Sequence, residues 1–155
     1  MIVREIRNED EPVVRELVFR VLREFGLKPS PEDTDRDLFQ IEECYRGGSF
    51  DVLEIDGVIV GTVGIMRMDD RLCELRKMYL DAGHRGKGYG KVLLNHGLAK
   101  ARELGFRSVC LETANVLQGA IRLYEAYGFE RYEPEHMAAR CDQAYILHLD
   151  STEHS

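Results

Sequence analysis

The sequence predicts a single α/β domain built on one mixed sheet, in the order βααβββαβαββ. Three observations predict it. An Asp56-Gly57 pair sits between two alternating apolar segments, which reads as an antiparallel hairpin. From residue 73 the pattern becomes strand, loop, helix, strand, helix, as in a β-α-β crossover with parallel pairing. The length of 155 residues, with 44% hydrophobic and 32% charged side chains, suits one globular domain that buries most of its surface. The domain is expected over 1–150, with 151–155 as a polar tail.

Each element has a local cause. Residues 1–7 alternate Ile2, Arg4 and Ile6 against Val3, Glu5 and Arg7, which suits a first strand. Asn8 and Asp10 can cap a helix with Pro12 in its first turn, and Val14, Leu17, Val18, Val21, Leu22 and Phe25 form its apolar stripe. Gly26 stops it, and a linker with two prolines follows. Leu38, Ile41 and Tyr45 predict a shorter amphipathic helix that ends at Gly47-Gly48. The hairpin pairs 50–55 with 58–66, and Asp69-Asp70 turns the chain into a strand over 73–80. A helix over 91–104 buries Leu94, Leu98 and Ala101 and ends before Gly105. A strand over 108–113, a helix ending near Gly128-Phe129, and a last strand marked by Tyr145, Ile146, Leu147 and Leu149 complete the order.

The strand over 73–80 contains a conflict of parity. Strict alternation puts Leu75, Lys77 and Tyr79 on one face and Glu74, Arg76, Met78 and Leu80 on the other. Leu75 and Met78 share a core layer only if an extra residue intervenes, as in a β-bulge. The alternative is a strand of mixed polarity buried on both faces.

The run Arg85-Gly86-Lys87-Gly88-Tyr89-Gly90, followed by Lys91, carries most of the functional information. Alternate glycines leave the backbone bare and able to take φ > 0, so several N–H groups can converge on an anion at the start of a helix. Arg85, Lys87 and Lys91 surround that seat with positive charge. A Walker A loop is excluded, because Arg85 stands at its first glycine and Val92 at its hydroxyl position. The dinucleotide fingerprint G-x-G-x-x-G fails at Lys91. The bland reading is a glycine-rich turn that caps a helix.

What does match is Arg-x-x-Gly-x-Gly, and it resembles the pyrophosphate-binding motif of the GNAT acetyltransferase superfamily. The later strand, the helix carrying Leu123-Tyr124 and the closing Gly128-Phe129 follow in the family's order. The resemblance covers nearly the whole chain and is sharpest over 73–129. It implies acetyl-CoA as co-substrate, with Arg85, Gly86, Lys87, Gly88, Tyr89, Gly90 and Lys91 around its pyrophosphate. It also implies that a bulge in the strand over 73–80 opens a V-shaped cleft, where the backbone of Met78, Tyr79 and Leu80 meets the pantetheine arm and polarises the thioester. Tyr124 matches the tyrosine that protonates the leaving thiolate, and Glu74 the carboxylate that acts as base through water; Glu112 on the next strand competes for that role. The packing alternative for Tyr124 is an aromatic that locks its helix to the sheet. Many family members carry an asparagine seven residues before that tyrosine; here the position is Leu117, with Asn115 and Gln118 as the nearby amides. Asn115 is the candidate for the cofactor contact.

The implied activity is N-acetyl transfer to the amine of a small molecule or peptide by direct attack in a ternary complex. A non-catalytic acyl-CoA sensor and a donor with a longer acyl chain are the competing expectations, and the resemblance also accommodates a homodimer. The cluster Glu32, Asp33, Asp35 and Asp37 either attracts an amine or is ordinary helix-start chemistry. A formal charge of −7 argues against nucleic acid as a partner. The four cysteines show no C-x-x-C pairing and the five histidines no metal-ligand spacing, so no metal is expected. No apolar run has the ~20 residues of a membrane span, and none suits a signal peptide. A cytoplasmic location is the expectation.

Overall fold

The computed structural model describes residues 1–149, so the expected tail and the last residue of the expected domain lie outside the described residues. One seven-stranded sheet runs in the order β1-β2-β3-β4-β5-β7-β6. Its strands are β1 (Ile2–Glu5), β2 (Ser49–Ile55), β3 (Val58–Arg67), β4 (Leu72–Leu80), β5 (Ser108–Thr113), β6 (Glu130–Arg131) and β7 (Gln143–His148). The helices are α1 (Glu11–Glu24), α2 (Ile41–Cys44), α3 (Tyr89–Glu103) and α4 (Gln118–Ala126). The element order is therefore βααβββαβαββ, as the sequence predicts.

Strands β1 to β4 form an antiparallel meander, β4 and β5 pair parallel, and β7 pairs antiparallel with both β5 and β6. Each face of the sheet has its own core. Val14, Val18 and Leu22 of α1 pack with Leu38, Ile41, Tyr45, Phe50 and Val52 on one side. On the other, Leu93, Leu94, Leu98 and Ala101 of α3 pack with Ile121 and Tyr124 of α4 over Leu53, Val63, Ile65 and Leu75. Gly97 lets α3 lie close to the sheet: a Cβ there would stand 3.1 Å from Leu75 and 3.2 Å from Val63.

The second helix departs from expectation. Leu38, Ile41 and Tyr45 are all buried, but a 3-10 turn (Arg36–Phe39) and the four-residue α2 replace one continuous helix. Gln40 between them has φ −153° and ψ 60°, outside the helical region. Side chains of α1 take up the backbone groups that the break releases. Arg15 donates to the Leu38 carbonyl (3.0 Å) and Glu11 accepts from the Ile41 N–H (2.9 Å).

The parity conflict in β4 is resolved by a bulge. Thr62 pairs with Tyr79 and Gly64 with Arg76, so two steps along β3 face three along β4. Lys77 takes φ +54°, and its carbonyl accepts a hydrogen bond from the Thr62 hydroxyl at 2.5 Å. Beyond the bulge, Met78 joins Leu75 in the core beneath α3 and α4. Pairing between β4 and β5 stops after Leu72–Ser108, Cys73–Val109 and Glu74–Cys110. The two strands part from there, and the rest of β4 has no ladder partner on that side.

Candidate active site

The parting of β4 and β5 opens a cavity of about 460 Å³. At one end it reaches Arg85, Gly86 and Gly90, before and at the start of α3. Met78, Tyr79 and Leu80 line its floor, and Leu117, Leu123 and Tyr124 line the wall that α4 supplies. At the other end stand Glu74, Arg76 and Lys77 from β4, Glu112 from β5, Thr34 from the linker and Arg140 from the loop before β7.

The cleft thus gathers Glu74, Met78, Tyr79, Leu80, Arg85, Gly86, Gly90 and Tyr124 among the residues singled out from sequence. Lys87, Gly88 and Lys91 lie on the exposed rim, and Tyr89 packs half-buried against the core. Gly88 is the N-cap of α3 with φ +87°, and Gly86 has φ +77°. A Cβ built at either glycine meets nothing within 4 Å, so the backbone is bare toward solvent. Arg85 folds back on the protein. It donates to the Leu80 carbonyl (2.8 Å), pairs with Glu24 and lies over the Phe25 ring, 4.9 Å from its centroid. Among the described residues, neither Lys87 nor Lys91 makes an ion pair.

Asn115 does not line the cavity. Its Oδ1 accepts from Gln118 (3.1 Å) and Gln143 (2.9 Å), so both amides near Leu117 are committed to each other and to β7. Tyr124 is only 6% exposed and packs on Phe129 and Tyr145. Burial pushes its phenol well above the ordinary tyrosine range, so the group keeps its proton at any working pH. Burial likewise lifts Tyr79, to about 12.

The two carboxylates at the far end differ in what holds them. Glu112 accepts the Ala138 N–H at 2.9 Å and so anchors the loop before β7. Burial, and secondarily the charge of Glu112, raise Glu74 above the ordinary carboxylate range against the pull of Arg76. Glu74 thus gains affinity for a proton beside the cavity.

Sequence reasoning did not anticipate the ion network behind this end. Asp35 is fully buried and binds Arg140 through both oxygens, at 2.6 and 2.7 Å. It also accepts the Ser30 N–H (2.8 Å) and lies 3.3 Å from the Lys77 ammonium. Asp37 lies 3.2 Å from the same ammonium and accepts from the Tyr45 hydroxyl. Asp35 and Asp37 therefore serve as internal counter-ions, which is neither of the roles the acidic cluster suggested. Burial works against the Asp35 charge, yet the Arg140 and Ser30 hydrogen bonds and Lys77 hold its carboxyl below the usual range. The signal in the sequence was Lys77, a cation within a strand otherwise rich in core residues; Arg140 lies in a polar loop that gives none.

A model of the acetyltransferase (GNAT) family matches residues 11–129. The chain belongs to the GNAT acetyltransferase family. It is 34% identical over 139 residues to the uncharacterized N-acetyltransferase YjgM of Escherichia coli K12, covering 85% of this chain and 83% of that protein. It spans about half the length of the vertebrate relatives it matches, such as human N-acetyltransferase 8B (33% identical, 70% of this chain, 50% of that protein). Among solved structures, a GNAT acetyltransferase of Staphylococcus aureus Mu50 superposes with a TM-score of 0.88 at 26% identity, over 96% of this chain and 99% of that one. GNAT membership makes this chain an acyltransferase. No group of three or more His, Cys, Asp or Glu among the described residues is arranged to hold a metal ion. No helix among them is long and apolar enough to cross a membrane.

Proposed function

We propose that the protein transfers an acetyl group from acetyl-CoA to the amine of a small molecule or peptide, by direct attack in a ternary complex. The observation that carries this reading is the cleft itself, with a bare cationic loop at one end and the Glu74 carboxylate at the other. Structures of the same fold from other organisms hold acetyl-CoA, as in yncA of Salmonella typhimurium (TM-score 0.74, 23% identity). Bound here, acetyl-CoA supplies the activated acyl carbon and a thiolate leaving group.

In this reading the N–H groups of the loop from Arg85 to Gly90, with Lys87 and Lys91 at its rim, hold the pyrophosphate. Remote binding of that kind orients a reactive group without acting on it. A backbone N–H near Met78 or Tyr79 stabilises the oxyanion that forms on attack. Glu74 takes the proton from the attacking amine through water, and Tyr124 gives one to the departing sulfur. The C–N bond forms on attack, and the C–S bond breaks as the oxyanion collapses and expels the thiolate. Four free cysteines fit a reducing compartment, and we assign the cytoplasm.

The loop assignment makes a binding prediction. Gly88→Val meets no steric obstacle within 4 Å, so its harm comes from φ +87° and from a side chain standing in the anion's approach. Acetyl-CoA affinity is expected to fall about tenfold or more, while stability falls by only about 1–2 kcal/mol. Wild-type affinity by calorimetric titration in the folded variant would overturn the assignment.

The reaction itself is tested by following CoA release from acetyl-CoA across a broad amine panel, with wild type and Tyr124→Phe side by side. Turnover is expected, with kcat about 10²-fold lower in the variant and acetyl-CoA Kd unchanged. Among the described residues the Tyr124 hydroxyl makes no hydrogen bond, so Tm should hold as well. Saturable acetyl-CoA binding with no turnover would point to a non-catalytic sensor. Normal kcat in Tyr124→Phe would remove the residue from the mechanism.

A further inference from the structure

One cation in the cleft lacks the partner its neighbours have. Lys77 and Arg140 each sit within 3.3 Å of buried carboxylates. Arg76 lines the same wall with its side chain only 25% exposed, yet its one ion pair among the described residues is a single 3.7 Å contact from Nε to Glu74. Its terminal nitrogens turn to neutral acceptors instead, the Thr34 carbonyl (3.1 Å) and the Met66 sulfur (3.2 Å). A guanidinium is built to take a carboxylate through two parallel N–H···O bonds, and Glu74 does not supply them.

A bound acceptor strips water from this wall. An amine with no anion of its own would leave Arg76 dehydrated with only the long 3.7 Å contact to Glu74, which is a costly state. Glu74 and Arg76 also stand two residues apart on β4, ahead of the bulge, which separates them by about 6.6 Å along the strand. An acid and a base thus face the cleft side by side, matching a ligand whose ammonium and carboxylate are separated by few bonds.

We propose that the acceptor is an amine bearing a nearby carboxylate, a free amino acid in chemical class, and that Arg76 selects it by binding that carboxylate. The inference rests on the amine-acetylation reading above and adds to it the anionic half of the substrate. Glu74 faces the amine and Arg76 the carboxylate, while Lys77 and Arg140 remain occupied by Asp35 and Asp37.

The test pairs free amino acids with their own carboxamides as acceptors and follows CoA release at fixed acetyl-CoA. The best acid is expected to exceed its amide by about 100-fold or more in kcat/KM, because a site built for a polar group discriminates strongly against its absence. Arg76→Gln should collapse that ratio to below about 10, with acetyl-CoA Kd unchanged. Arg76→Lys, which keeps the charge and loses the fork, should fall between them. Equal turnover of acid and amide by the wild type, or a ratio that survives Arg76→Gln, overturns the inference and leaves the acetyl-transfer reading standing. If Arg76→Gln fails to fold, the wild-type ratio alone decides. Acetyl-CoA binding with no acceptor turned over, inside the panel or among simpler amines, overturns both.

Discussion

Replacing Glu74 with glutamine is expected to slow acetyl transfer by a factor of ~10²–10⁴ at subsaturating acceptor. The variant keeps the shape of the side chain and loses the carboxylate to which the proposed mechanism gives the proton. Burial first, and then Glu112, raise the Glu74 carboxyl, so in the wild type the acid limb of kcat/KM should lie above the ordinary carboxylate range. The sign is fixed: the base works only when deprotonated, and a raised pKa extends the inactive form to higher pH. In Glu74→Gln that limb should flatten or move to the pKa of the acceptor amine. Folding should survive, because the substitution removes a charge that burial disfavours. A pH–rate profile identical to wild type would transfer the role to Glu112 or to no residue at all.

Asp35→Ala is expected to cost about 3–5 kcal/mol of stability, the usual result of removing one partner from a buried ion network. The aspartate is fully buried between Arg140 and Lys77, and its loss leaves Arg140 without its carboxylate and Lys77 with Asp37 alone. Its carboxyl is held below the ordinary value, so the stabilisation is complete above the unfolded pKa and is lost as pH falls through the folded one. Chemical denaturation at neutral pH should show the full deficit, and the difference between wild type and Asp35→Ala should shrink as the solution is acidified. A variant within 1 kcal/mol of wild type at neutral pH would mean that water or a neighbouring acid replaces the aspartate.

The elements legible in the sequence were those with a local cause. The Asp56-Gly57 turn, the stripe from Val14 to Leu22 and the apolar positions of α3 each follow from spacing alone, and all of those apolar side chains are buried. The bulge was signalled by the parity of Leu75 and Met78, which left a strand buried on both faces as the alternative, and by the family resemblance, which favoured the inserted residue. Tyr124 could be named from the Leu-Tyr match and Glu74 from its place near the start of the bulged strand, and both line one cavity. What stayed hidden depends on contacts between distant segments. Asp35 and Arg140 are 105 residues apart and share no periodicity. The break at Gln40 follows from acceptors and donors that α1 lends from another part of the chain. Asn115 looked available because nothing local shows that Gln143 will meet it.

Lys77 has a consequence for anyone who would redirect this protein to a new acceptor. Its main chain makes the bulge and holds Thr62, while its ammonium reaches across to Asp35 and Asp37. A non-glycine residue at φ +54° is tolerated there because both ends of it are in use. In the proposed reading, Gly86 and Gly90 offer bare backbone at the donor end, and Glu74, Arg76 and Arg140 offer side chains at the acceptor end. Arg76 is the side chain to vary for a new acceptor, whereas Thr34 and Ala138 are tied through their backbones, the Thr34 carbonyl to Arg76 and Lys77 and the Ala138 N–H to Glu112. Position 77 ties the bulge to the buried carboxylates, and a library that includes it would alter both together.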